Sequence, residues 1–463
     1  MSKKYFSIHN HTEYSNINLA ADSINKIEDL LRRGKELGLS GLAITDHGVV
    51  SSHIKAIQCY KKLCEEDESW RDFKLGLGCE IYLCPNGRDK TTAERGQRYP
   101  HCILVAKDEI GHRQLREILS RSWKRSYTLF VKRIPTWYSD IEEVIGEDKG
   151  HLIITSACIA GIFRELYDNK DEEGAFRLTE WLKLWFPGDN YLELAPALYE
   201  EQIEYNKWLI DIGKKTDTKL IFATDSHYLR KENYKIHEAY LKTKQEERET
   251  AEFYLYTYLM SQEECQENLP GISRELFLEM VENTIAIQEG IEIYDLFKPQ
   301  KIPHLKDDRD LFPQWEKVLG QSRIQEKYVN INKYKFSETE DDRFFIYLVL
   351  MKLKELDLSK EKLDEYLKRV EIECYEYWET SQRLKQPISS YILMVREIVR
   401  MMWKEANSLV GVSRGSAGST LVNYLCGLTQ MNPLEQGVYL PEWRFIHHSK
   451  IEIPDEHKLG LAW

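Results

Sequence analysis

No stretch of the sequence approaches the ~20 consecutive apolar residues of a membrane span, and the opening MSKKYFSIHNH lacks the apolar block of a secretory signal. A cytoplasmic protein, with no membrane as partner, is therefore expected. No C-x-x-C pair occurs. The nine cysteines are scattered and odd in number, which fits free thiols better than a disulfide framework. Excess positive charge is lacking too: 64 Lys and Arg face 76 Asp and Glu, a formal net charge of -12. Nonspecific nucleic-acid affinity comes mainly from neutralising phosphates, so this balance excludes a coat-like binder and leaves only local patches for that work. There is no internal repeat and no low-complexity tract. What remains is a globular composition, 42% hydrophobic over 463 residues, too long for one ordinary core.

Short apolar and β-branched runs recur between longer helical stretches, at 5–8, 42–45, 75–83, 102–106, 152–155, 191–194 and 220–224. Strands alternating with helices point to an α/β fold, either a barrel or a doubly wound sheet. Between the first two runs, Ser23 is placed to cap a helix whose apolar face is Ile24, Ile27, Leu30, Leu31 and Leu37, with Gly38 ending it. The alternation stops before 298–313, where Pro299, Pro303 and Pro313 lie among charged residues. A first domain is therefore expected over 1–297, a linker over 298–313 and a mainly helical part over 314–463. Helices are expected there over 342–356, 360–382 and 391–406. Around the last, Ile388, Ile392, Val395, Val399 and Met402 repeat at helical spacing as a core stripe.

One local patch stands out. Between Arg113 and Trp137 seven basic residues (Arg113, Arg116, Arg121, Lys124, Arg125, Lys132 and Arg133) face the single acid Glu117, interleaved with Trp123, Tyr127, Phe130 and Trp137. The mixture suits a single strand, whose bases stack on rings and whose phosphates meet cations. A solvated helix with an aromatic core face fits the same pattern equally well.

The strongest signal is a set of metal-capable residues at the ends of the expected strands. His9 and His11 follow the first, as H-N-H, and residues two apart in an extended segment share a face, so both imidazoles can reach one ion. Asp46 and His47 follow the second strand, Glu80 falls in the third, Cys158 follows the fifth, and Asp225 and His227 follow the seventh. His101 begins the fourth strand rather than ending it. If the third and fourth strands are antiparallel, that start lies near the end of the third, and His101 meets Glu80 at the same rim. Histidine, carboxylate and one thiolate suit zinc, manganese or iron, and the set exceeds what one tetrahedral ion needs. Two or three divalent ions are implied. Several ions on one rim make a phosphate-ester site, and hydrolysis is the expected reaction.

These residues, in the motifs H-N-H-T-E-Y-S, A-I-T-D-H-G, G-C-E-I-Y, Y-P-H-C-I-L-V-A-K and A-T-D-S-H-Y, resemble the PHP (polymerase and histidinol phosphatase) family, in the version fused to bacterial DNA polymerase III α subunits. The resemblance covers about residues 5 to 230. It implies a distorted seven-stranded (β/α) barrel with a trinuclear metal site held by His9, His11, His47, Glu80, His101, Cys158, Asp225 and His227. Of these, His9, His11, His47, Glu80, Asp225 and His227 are the expected catalytic residues. The family places one more acid seven residues after the second histidine. Asn18 stands there, and Asp22 is the candidate that replaces it.

Farther on, G-V-S-R-G-S-A-G-S-T over 411–420 resembles the glycine-serine motif of C-family polymerase palms, a likeness that covers about 365 to 455. A turn followed by a helical run puts backbone N–H groups and the Ser416 and Ser419 hydroxyls where a nucleoside triphosphate could sit, with Gly415 in the turn and Arg414 supplying charge. In the family a strand reading P-D-x-D-x-D follows and carries the catalytic aspartates. Here Pro454 and Asp455 are followed by Glu456, His457, Lys458 and Leu459. A palm truncated before its aspartates is expected, from a split gene, an interrupted reading frame or a shortened chain. Magnesium and dNTP then enter only in a completed polymerase, and polymerase activity from this chain alone is not expected.

The leading expectation is thus the amino-terminal portion of a replicative polymerase whose PHP domain hydrolyses phosphodiesters as a 3′-5′ exonuclease, acting on DNA at a primer 3′ end or a single strand. A second is a metal-stabilised scaffold that pairs with another polypeptide supplying the remaining palm, thumb and fingers. A third is a small-molecule phosphatase.

Overall fold

The structure, a computed structural model, describes residues 4–16, 22–87, 99–129, 134–243, 252–298, 301–302 and 307–437. The chain divides into two compact units, Met1–Phe297 and Lys298–Trp463. No described helix is long and apolar enough to cross a membrane.

The first unit is built on strands β1 (Lys4–Ser7), β2 (Leu39–Ile44), β3 (Lys74–Cys84), β4 (His101–Ala106), β5 (Pro135–Trp137), β6 (Leu152–Thr155), β7 (Asn190–Leu194) and β8 (Lys219–Phe222). Seven of them form one curled path in the order β1-β2-β3-β4-β6-β7-β8, while β5 pairs off with β3. The β5 strand falls in the basic aromatic stretch, where no strand is expected from sequence. Pairing is parallel except around β4, which runs antiparallel to both β3 and β6.

Alternation along each strand divides the core in two, because successive side chains point to opposite faces. Phe6, Ala43, Ile103, Val105, Ile153 and Ile221 fill the inside of the curl. Tyr5, Leu42, Ile44, Leu104, Ile154 and Phe222 face the surrounding helices. The path ends at β1 and β8, and the helix Arg274–Gly290 lies against both. Phe6 N–H donates to Thr284 Oγ1 at 3.2 Å, and Asn283 Nδ2 donates to the Leu220 carbonyl at 2.9 Å, so helix side chains satisfy backbone groups of both end strands. Just past the strands, Asn10 and Ser226 form a parallel bridge that draws the two ends together.

Ser23 does not cap a helix. The helix Ile27–Glu36 begins after Lys26, and the Ser23 hydroxyl lies 3.0 Å from the carbonyls of both His11 and His227. It ties two site loops together instead.

The second unit is helical, with Glu340–Glu355, Lys360–Leu384 and Ile388–Lys404 as its longest elements. The stripe expected as core on the last helix is corrected. Ile392 is buried, but Ile388, Val395, Val399 and Met402 are only half-buried. The buried side runs through Ser389, Ser390, Leu393 and Glu397, because Ser389 and Ser390 each donate at 2.5 Å to the buried carboxylates of Asp342 and Asp341. Nor is 298–313 wholly open chain. Asp308–Leu311 forms a 3-10 turn in which Arg309 pairs with Asp307, Glu340 and Asp341.

Candidate metal centre

Just past β1 the chain runs His9-Asn10-His11. Asn10 turns inward to the strands, donating from Nδ2 to the carbonyls of Ser7 and Ala43 at 2.9 Å. Its neighbours point the other way, and their Nε2 atoms come within 3.1 Å of each other. After β2, Gly48 adopts φ +61°, a left-handed conformation that favours glycine, and turns the chain so that His47 faces the same point. The antiparallel β3–β4 pairing sets Tyr82 opposite His101, and His101 Nδ1 reaches a Glu80 oxygen. After β8, Asp225 adopts φ +46°, a strained backbone for a non-glycine residue and of a kind that persists at functional sites.

Three overlapping groups result, each with its ligand atoms within 4.8 Å of one another: His11, Asp22, His47 and His227; His9, His11, Glu80 and Asp225; and His47, Glu80 and His101. His11, His47 and Glu80 each belong to two groups, so every pair of groups shares one residue. His11 Nε2 stands 3.1 Å from Glu80 Oε2 and 3.0 Å from Asp225 Oδ1. Asp22 Oδ2 lies 3.2 Å from His47 Nε2 and 3.3 Å from His227 Nε2. Asn18, the alternative ninth position, lies outside the described residues. Cys158 is buried after Ala157, itself at φ +58°, but belongs to none of the three groups.

The imidazoles are aimed by partners on their far side. His9 Nδ1 is 2.7 Å from Glu193, which also accepts from Thr155 Oγ1 at 2.5 Å. His11 Nδ1 is 2.9 Å from Ser15 Oγ, and His227 Nδ1 donates to the Asp225 carbonyl at 2.7 Å. Fixing one ring nitrogen this way presents the other, with its lone pair, to an ion. Asp46, which sequence places on the rim, does supporting work: its carboxylate accepts from Thr12 N at 2.7 Å and from Ser15 Oγ at 2.8 Å. Glu193 is missed by the sequence reading, although an acid inside the apolar run Y-L-E-L was a signal to follow.

The electrostatics are those of a buried acid cluster balanced by imidazoles. Burial opposes ionisation of Glu80, but His101, His47 and His9 hold its carboxyl well below the usual range. Burial likewise opposes Asp22, and His227 with His47 overrides it. Conversely, burial disfavours a charged His9, yet Asp225, Glu193 and Glu80 raise it well above an ordinary histidine. Burial and then Asp225 and Glu80 push the Cys158 thiol well up. Both Glu80 oxygens, Asp225 Oδ1, His47 Nδ1 and His101 Nδ1 are buried and make no hydrogen bond among the described residues, although they crowd within ion-pair distance. Atoms that converge on common points without bonding one another have the geometry of ligands, and nitrogen with carboxylate oxygen is a donor set for zinc, manganese or iron.

Two other expected sites look different in the structure. In the basic aromatic stretch, Arg121 pairs with Glu117 and Glu143, and Arg125 makes a two-pronged pair with Asp140 while stacking 3.7 Å over Trp137. Trp123 Nε1 donates to the Gly48 carbonyl at 2.9 Å. The structural reading of that stretch thus accounts for these four residues, while Phe130, Lys132, Arg133 and the Tyr127 side chain lie outside the described residues. In the second unit, Arg414 and Ser416 are exposed, Gly415 has φ +60°, and Ser419 is buried. At the start of the helix that follows, Leu421 N and Val422 N donate at 2.9 and 2.8 Å to the buried carboxylate of Glu373, which Arg369 also holds at 2.6 Å. Residues 454–459, where the aspartate motif diverges, lie outside the described residues.

Residues 7–197 match the PHP domain family, and residues 345–456 match the family described as bacterial DNA polymerase III alpha NTPase domain. The DNA-directed DNA polymerase of Bacillus phage SPbeta is 37% identical over 472 residues, covering 96% of this chain and 36% of its own. The DNA polymerase III subunit alpha of Aquifex aeolicus (strain VF5) is 28% identical, over 98% of this chain and 36% of its own. That of Campylobacter jejuni is 26% identical, over 98% and 35%. The chain thus spans about a third of the length of the curated relatives it matches.

Proposed function

We propose, for a chain that carries a PHP domain and is similar along nearly its whole length to bacterial DNA polymerase III alpha subunits, that its first unit hydrolyses phosphodiester bonds of DNA from the 3′ end. One observation carries this reading: the three overlapping ligand groups of His9, His11, Asp22, His47, Glu80, His101, Asp225 and His227. These residues would hold two or three divalent ions, which when bound would supply Lewis acidity toward a phosphoryl oxygen and acidify a water. The chain's own residues orient the site. Glu193, Ser15 and the Asp225 carbonyl fix three imidazoles, and Glu80 and Asp225 set carboxylate charge beside them.

A second reading has a specific observation behind it. His9 and His11 are fully buried, as ligands that only stabilise a fold would be. In that case the centre is a metal-stabilised scaffold, paired with a second polypeptide that completes the polymerase. A small-molecule phosphatase is disfavoured by the polymerase-like segment 345–456. Nucleotide binding at Arg414, Gly415 and Ser416, with magnesium, belongs to a completed polymerase. Nucleotidyl transfer is not proposed for the 463-residue chain, in which His457 and Leu459 stand at the places of the later aspartates.

The test is a 5′-labelled single-stranded oligonucleotide incubated with manganese-loaded protein. A ladder shortening from the 3′ end, lost in His47→Ala and in His227→Ala, is expected. An oligonucleotide left intact by fully metallated protein would instead favour the scaffold.

A further inference from the structure

Beside Asp225 the rim changes character. A narrow hollow opens there, lined by Ala197, Tyr199, Thr224, Asp225, Phe253 and Tyr256. Tyr199 comes from the segment before the helix Glu200–Thr216, and Phe253 and Tyr256 from the 3-10 turn Glu252–Tyr256. The rings of Tyr199 and Tyr256 stand 6.1 Å apart, and Tyr254 in the same turn presents its edge to His227 at 5.9 Å. Tyr199 is held in place: its hydroxyl donates to Gln202 Oε1 at 3.1 Å, and Gln202 Nε2 donates to Asn206 at 2.8 Å. All three lining rings are half-exposed, flanked by Leu198 at 49% and Leu255 at 40% exposure.

Apolar surface gathered on one side of a charged site is costly to leave in water and marks a place where something apolar docks. Next to a phosphodiester, the flat apolar group is a nucleobase, and stacking on aromatic side chains tolerates any base because each has a π-face. Thr224 is a buried wall of this hollow. It is 2% exposed, its hydroxyl has no hydrogen-bond partner among the described residues, and it lines the same hollow.

We infer that Tyr199, Phe253 and Tyr256 form a stacking shelf that receives the unpaired terminal bases of a DNA strand and, on the reading that the adjacent centre cleaves phosphodiesters, sets its preference for frayed or single-stranded ends over duplex. A base cannot stack on the shelf while it is stacked and paired in a helix, so the shelf favours ends that have already come apart.

The experiment measures, by fluorescence anisotropy, the affinity of metal-replete protein for a labelled single-stranded oligonucleotide with non-hydrolysable phosphorothioate linkages at its 3′ end. Parent, Phe253→Ala/Tyr256→Ala and Phe253→Leu/Tyr256→Leu proteins are compared, with metal content recorded for each. Both double variants should bind at least about tenfold more weakly with metal content retained, since leucine keeps apolar volume but not a flat face. Rates on bis(p-nitrophenyl) phosphate, which has no base to stack, should fall by at least about tenfold less than rates on the cleavable oligonucleotide. Oligonucleotide affinity within twofold of the parent in the leucine variant overturns the shelf, as does a loss of affinity that only tracks a loss of metal. A parent that cleaves neither substrate, while the variants still lose affinity, overturns the cleavage reading and leaves the shelf standing as a binding site.

Discussion

Glu193 Oε1 lies 2.7 Å from Nδ1 of His9, fully buried, and the same carboxylate accepts from Thr155 at 2.5 Å. The pair fixes the imidazole so that Nε2 faces Asp225 at 3.1 Å and His11 at 3.1 Å. A carboxylate in this position holds the ring's orientation and raises its basicity without touching an ion. Glu193→Gln keeps the shape and removes the charge. It should weaken retention of one ion by roughly 10- to 100-fold, read by competition with a graded chelator while the remaining ions stay bound. Unchanged retention would make Glu193 a packing residue.

In the second unit, Glu373 is fully buried between Arg369 and the two N–H groups that open the helix Leu421–Leu425. Burial pushes its carboxyl upward, while Arg369 and those N–H groups pull it down. Glu373→Ala removes the buried carboxylate that Arg369 pairs with and leaves the Leu421 and Val422 N–H groups uncapped, and should destabilise this unit by about 3 to 5 kcal/mol. Urea unfolding followed by fluorescence should show an early transition absent from the parent. A loss below ~1 kcal/mol, the worth of an exposed ion pair, would contradict the assignment.

His53 and His112 form a buried pair, Nδ1 to Nε2 at 2.9 Å, away from the metal-capable groups, with His53 Nε2 2.9 Å from the Gly78 carbonyl. Burial, and then the second imidazole, lower His53 to about 3. Burial and then Arg116 lower His112 to about 4. Both are neutral in the folded chain and take up protons on unfolding near the ordinary histidine value of ~6.5. Their contribution is therefore fully present above about pH 6.5 and is lost progressively as pH falls toward the folded values, amounting to about 2 kcal/mol for His112 at pH 5. Urea midpoints of metal-replete protein at pH 7.5 and pH 5 should differ less in His112→Asn than in the parent. Equal differences would show that neither histidine is held neutral.

The rim was legible because strand ends are readable. H-N-H follows a short, mostly apolar run, and the antiparallel return that carries His101 to Glu80 was implied by where that histidine sits in its strand. Rim position does not separate a metal-capable residue from its support, however. Asp46 and Glu80 look alike in sequence, and only the turn at Thr12 and Ser15 shows that Asp46 is already used. Charge runs mislead for a related reason. Arg121 and Arg125 find acids at Glu143 and Asp140, on the helix Tyr138–Ile145, a partnership that helical periodicity does not reveal. On the helix Ile388–Lys404 the buried side takes in Ser389 and Ser390 and leaves Ile388 half-buried, because the Asp341 and Asp342 carboxylates those serines bind come from a distant part of the chain.

The central claim is that the His9-to-His227 rim holds several ions at once, and elemental analysis of metal-replete, extensively dialysed protein tests it most directly. Two or three equivalents of transition metal per chain are expected, falling in Asp225→Ala, whose carboxylate stands between His9 and His11. Less than one equivalent in the parent, or a content that Asp225→Ala leaves unchanged, would contradict the account.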